Sequence, residues 1–142
     1  LQDALNAVSV FDSMTENIET LFVGYSLGCF VSMQLLSHCW MTNVKCDNVL
    51  LVNGMYKSEH MVPRFKLFTS LLGVSVQPHL NTCDVPITLL HAEHDTLISP
   101  QESIEMHQAC RSIGRRCQLI ICDGDHRKYR LSDETTSILR QL

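Results

Sequence analysis

Ser26 stands in Gly24-Tyr25-Ser26-Leu27-Gly28, a G-x-S-x-G pattern. A serine hydroxyl can attack a carbonyl carbon, but at neutral pH it is a weak nucleophile. It needs a base within hydrogen-bond reach, and the base needs an acid that orients it. Downstream, Asp95 closes Ala92-Glu93-His94-Asp95 and His126 closes Asp123-Gly124-Asp125-His126. These two are the candidate acid and base. Asp84, Asp123 and Asp125 are rival acids, and His91 and His94 are rival bases. His91-Ala92-Glu93-His94-Asp95 also invites a metal reading. It is not H-E-x-x-H, however, and it leaves a strand rather than riding a helix, so the reading is set aside.

The elements that must position these residues follow from local pattern. Thr20 to Tyr25, Asn48 to Val52, Pro86 to His91 and Cys117 to Cys122 are short apolar runs of strand length. Residues 1–14 and 27–41 have helical apolar patterns, and Ser132 opens a last helix over 132–142. Ser99-Pro100-Gln101-Glu102 is a helix start in which Ser99 caps and Glu102 completes a capping box; Gly114 ends that helix. Continuous apolar strands alternating with helices imply an α/β fold, a parallel sheet flanked by helices. Functional residues in such sheets lie beyond the carboxyl ends of the strands. Ser26, Asp95 and His126 each follow a strand, so all three are expected at one edge. Gly24 and Gly28 are expected to let strand and helix approach around a strained Ser26. The Leu27 N–H, at the helix start, is the candidate oxyanion donor. Tyr25 is expected to shape the pocket beside the serine.

The order Ser26, Asp95, His126, each after its own strand, resembles the C-terminal half of an α/β-hydrolase. In that family the acid typically follows a strand in a Gly-x-x-Asp setting, often with a proline a few residues on. Here the residues are Ala92-Glu93-His94-Asp95 and then Pro100, with alanine as a mild departure. The family's histidine often follows a glycine-containing turn, as Gly124-Asp125-His126 does. The resemblance covers nearly the whole chain but only part of the fold. The family has further strands before the elbow strand, and one of their loops gives the first oxyanion donor. The resemblance therefore implies a partial α/β-hydrolase fold lacking the N-terminal strands. It also implies a serine hydrolase, esterase-, lipase- or thioesterase-like, that cleaves a carboxylic ester or thioester through an acyl-enzyme. Ser26 would be its nucleophile, His126 its base and Asp95 its acid, with no cofactor and no metal. A catalytically inactive scaffold of the same fold with a binding role is the alternative, since fold alone does not fix function.

Composition bounds the rest. The chain has 142 residues, 45% hydrophobic and 18% charged, with a net charge of −4. That suits one domain over 1–142 and excludes a disordered chain. The absence of a dominant basic stripe argues against nucleic acid as partner. No apolar run reaches membrane-spanning length. A small ester or acyl substrate is the expected partner. Seven cysteines without a C-x-x-C pair suggest a reducing, cytoplasmic setting. Cys29, just after the serine, is expected in the core. Residues 55–84 are apolar and fall where the family commonly carries a cap or lid insertion; either Phe65 and Phe68 wall an acyl chain, or the helix here simply covers the sheet face. The chain begins at Leu1, on the helix before the elbow strand. The expectation is that the first strand presents an unpaired apolar edge prone to self-association.

Overall fold

The structure is a computed structural model and describes residues 3, 6, 7, 19–42, 45–56, 80 and 84–142. Of the first fourteen residues, the described Asp3, Asn6 and Ala7 are helical. Most of the proposed insertion, residues 57–79 and 81–83 with Phe65 and Phe68, lies outside the described residues.

Among the described residues four parallel strands form the sheet in chain order: β1 (Leu21–Tyr25), β2 (Asn48–Val52), β3 (Ile87–Ala92) and β4 (Cys117–Gly124). A two-residue strand, β5 (Tyr129–Arg130), returns antiparallel against the end of β4. The apolar runs predict β1 to β4 but not this strand. β5 is too short and too polar in its surroundings to show a period. The helices are α1 (Leu27–Thr42), α2 (Gln101–Ser112) and α3 (Asp133–Leu139).

Alternation along the central strands builds two cores. Val49, Leu51, Ile87 and Leu89 pack with Cys29, Met33 and Leu36 of α1 and with Met106 and Cys110 of α2. The intervening Val52, Leu90 and Ala92 pack with Ile120 and Cys122, against Ile138 and Leu139 of α3. Side chains of a strand alternate between faces, so both faces of β2 and β3 need apolar residues. Hence these strands read as unbroken apolar runs.

Two helix starts behave differently. Ser132 caps α3, its Oγ accepting from the Thr135 N–H at 3.0 Å. At α2, the Ser99 Oγ accepts only weakly from the Gln101 N–H, at 3.3 Å. Glu102 does not close the expected capping box. It is fully buried, and its carboxylate accepts from the backbone N–H of Tyr56 just beyond β2.

Among the described residues, β1 pairs only with β2 and ends the sheet. Its Leu21, Val23 and Tyr25 are exposed, Val23 to 59%. No helix among the described residues is long and apolar enough to cross a membrane.

Candidate active site

Parallel pairing brings the carboxyl ends of all four strands to one edge. Tyr25 is in register with Val52, Val52 with Leu90, and Ala92 with Cys122. The segments that leave this edge carry Ser26, Asn53, Asp95 and His126.

Ser26 joins β1 to α1 with φ at 54°, a left-handed value that a serine adopts at a cost. Its N–H donates to the Val52 carbonyl at 2.9 Å, and its carbonyl accepts from the Cys29 N–H at 3.1 Å. The peptide is therefore fixed on both sides while the side chain stays partly exposed. Gly24 makes the turn possible: a Cβ there would lie 2.6 Å from the Cys29 Cα and 2.8 Å from the Gly28 carbonyl oxygen. Gly28 has no such duty, since a Cβ at this position would meet nothing within 4 Å. The expectation that both glycines permit the close approach holds for Gly24 and fails for Gly28. Leu27 is the first residue of α1, so its N–H has no acceptor one turn back in the helix.

Asp95 leaves β3 through a tight turn and is 6% exposed. Its Oδ1 accepts from the Leu97 and Ile98 N–H groups at 2.8 and 3.0 Å. Its Oδ2 lies 2.6 Å from His126 Nδ1 and 3.5 Å from His91 Nε2. Burial alone would raise this carboxyl. Hydrogen bonds from His91, the Ile98 N–H, His126 and the Leu97 N–H outweigh it and bring the pKa from 3.8 down to about 2. An ionised carboxylate only accepts, so the His126 proton sits on Nδ1. The His126 Nε2 then presents its lone pair to the Ser26 Oγ, 3.0 Å away.

His126 rides the turn between β4 and β5. Asp125 shapes that turn: its Oδ1 accepts from the Arg127 and Lys128 N–H groups at 2.8 and 3.0 Å. Gly124, at φ 137°, lets the turn close where a Cβ would strike the Lys128 carbonyl oxygen. The rival residues are engaged elsewhere. Asp84 sits 3.9 Å from Arg116, and Asp123 sits between His94 and Arg130, all at the surface. His91 is fully buried and faces α2. Its Nε2 is 2.9 Å from the Ile98 carbonyl oxygen, so that nitrogen carries the proton, and its Nδ1 accepts from the Ser103 hydroxyl at 2.7 Å. Cys29 is a core thiol, 2% exposed, and burial raises its pKa to about 12.

Two further side chains join the site, Asn53, which the sequence pattern does not single out, and Tyr25, in a role other than the pocket wall expected of it. The buried Asn53 donates from Nδ2 to the His126 backbone carbonyl at 3.1 Å, and the Tyr25 hydroxyl donates to the same oxygen. Asn53-Gly54 carried only a strand-end signal, because its partners are 39 and 73 residues away.

No family model matches the sequence, and no curated protein matches it. Solved structures do. An acylaminoacyl peptidase from Pyrococcus horikoshii superposes with a TM-score of 0.69 at 14% identity, over 89% of this chain and 23% of that one. A protein described as a hydrolase of the alpha/beta superfamily, from Xanthomonas campestris pv. campestris, gives 0.57 at 23% identity, over 99% of this chain and 69% of that one. A Pyrococcus furiosus esterase gives 0.58 at 15% identity, over 77% of this chain and 46% of that one. The chain thus spans less than a quarter of the peptidase's length. The likeness fixes the architecture, a partial α/β-hydrolase fold, with the candidate residues at the carboxyl edge of its sheet.

Proposed function

We propose that this chain carries the nucleophile, base and acid of a serine hydrolase that cleaves a carboxylic ester or thioester. The observation that supports it is the hydrogen-bond chain from Ser26 Oγ through His126 to Asp95, starting from a serine held at positive φ.

In this reading Ser26 Oγ attacks the substrate carbonyl carbon while His126 Nε2 takes the hydroxyl proton. Asp95 holds the ring by Nδ1 and stabilises its charged form. Negative charge grows on the carbonyl oxygen, and the Leu27 N–H at the head of α1 meets it. The intermediate collapses, the C–O or C–S bond breaks, and the leaving group takes the proton from His126. An acyl group remains on Ser26. Water attacks it in the same way, with His126 again as base, and the acid product leaves. None of these steps calls on a metal or an organic cofactor. The exposed apolar face of the edge strand β1 further suggests that the 142 residues by themselves self-associate.

A substrate panel tests the assignment: p-nitrophenyl esters, acyl thioesters and p-nitroanilides of matched acyl groups. Turnover of the first two with weak turnover of the third, abolished in Ser26→Ala, is the expected pattern. Turnover that survives Ser26→Ala, or a folded chain that cleaves none of them, overturns it. In the second case the scaffold reading takes its place.

A further inference from the structure

The position of His126 poses a physical problem. Its turn is closed by local bonds: Asp125 Oδ1 takes the Arg127 and Lys128 N–H groups, and the Asp125 N–H donates to the Lys128 carbonyl. These bonds set the shape of the turn. They do not set where the turn sits relative to Ser26, 100 residues earlier.

At the strand end the His94 N–H donates to the Gly124 carbonyl at 2.9 Å and ties the start of the turn to the segment that leaves β3. Two further bonds act on the backbone of His126 itself, and both end on its carbonyl. One comes from the Tyr25 hydroxyl, on the residue that precedes the serine. The Tyr25 ring also lies against the imidazole, centroid to centroid 5.3 Å, tilted by 43°. The other comes from Asn53 Nδ2. A carbonyl oxygen has two lone pairs and can accept both.

Asn53 is built for this place. It follows β2 directly, is fully buried and has φ at 48°, a value asparagine tolerates better than most residues. Its N–H donates to the Leu90 carbonyl at 2.8 Å, and its Oδ1 accepts from the Ala92 N–H at 2.8 Å. The Ala92 N–H can only donate, which fixes the amide's orientation and leaves Nδ2 for His126. One side chain therefore ties the end of the strand that delivers Asp95 to the turn that delivers His126.

We propose that Tyr25 and Asn53 are positioning residues that clamp the His126 carbonyl and so set the imidazole between Ser26 and Asp95. Tyr25 references the base to the nucleophile strand, and Asn53 references it to the acid strand. The catalytic consequence rests on the serine-hydrolase reading; the geometric one does not.

The test uses Tyr25→Phe and Asn53→Asp with two readouts. The first is p-nitrophenyl ester turnover for short and long acyl groups. The second is the low-field proton NMR resonance of His126 Nδ1–H, assigned by its loss in His126→Ala. Tyr25→Phe keeps the ring of an exposed residue and removes one bond. It is expected to lower kcat about tenfold with KM unchanged for every acyl length, and to shift or broaden the resonance. Asn53→Asp keeps the acceptor for the Ala92 N–H but sets a carboxylate oxygen against the His126 carbonyl, so its loss is expected to be larger. If Asn53→Asp fails to fold, Tyr25→Phe alone decides. An unchanged resonance in the folded variants overturns the clamp. So does a change in KM that depends on acyl length with kcat unchanged, which makes Tyr25 a pocket wall. A wild-type chain without turnover but with a resonance that responds to Tyr25→Phe keeps the clamp and refutes the hydrolase reading.

Discussion

Replacing Asp95 by Asn should disable the site by reversing one proton, and the structure says which. Oδ1 of Asp95 accepts from two backbone N–H groups, Leu97 and Ile98. Neither donor can become an acceptor, so the amide oxygen of Asn must take that position. The amide NH2 then falls where Oδ2 lay, 2.6 Å from His126 Nδ1. Two donors cannot share that contact, and the imidazole must move its proton to Nε2. Nε2 then points a hydrogen at Ser26 Oγ and cannot accept the hydroxyl proton. The wrong tautomer is worth about 10⁴-fold in kcat. The same change carries a stability signature. The Asp95 carboxyl titrates at about 2 in the folded chain against an ordinary 3.8. A depressed folded pKa contributes stability that is full above the unfolded value and lost as pH falls through the folded one. The wild type should therefore lose about 2 kcal/mol between pH 3.8 and 2. Asp95→Asn should show a flatter profile there. Ester hydrolysis at neutral pH and urea unfolding across the acid range measure the two effects. A loss of kcat under tenfold in a folded Asp95→Asn refutes the tautomer reasoning.

Other expectations follow from contacts in the elbow. Gly24→Ala should abolish folding or lower Tm by many degrees, because its Cβ would strike backbone atoms of Cys29, whereas Gly28→Ala should leave Tm unchanged or slightly raised; thermal unfolding of the two variants checks both. Cys29, with its thiol pushed up to about 12 by burial, should resist iodoacetamide at pH 8 in the native chain and react in urea, as peptide mass mapping would show; native labelling would contradict its core placement.

What could be read in the sequence was what chain-local pattern determines. β2 was legible to the residue because Asn48–Val52 is apolar on both faces and bounded by polar residues. The Ser132 cap was legible because its partner is three residues away. Glu102 was misread for the opposite reason. A serine three residues before a glutamate has the form of a capping box, yet the carboxylate is drawn inward by the Tyr56 N–H, 46 residues back. Gly28 was over-read because a pattern does not say which of its glycines faces a crowded neighbour. At the candidate site, residue types and strand ends brought Ser26, Asp95 and His126 to one edge. The clamp from Tyr25 and Asn53 was invisible, because a hydrogen bond to a distant backbone carbonyl leaves no trace in the acceptor's residue type.

The most direct test of the central claim is covalent. The chain should be treated with a fluorophosphonate, which phosphonylates activated serines, and the modified residue located by peptide mass spectrometry. One phosphonyl group on Ser26, absent in His126→Ala and strongly slowed in Asp95→Asn, is the outcome expected of a serine activated by this hydrogen-bond chain. Labelling on another residue, or labelling of Ser26 that is indifferent to His126→Ala, contradicts it.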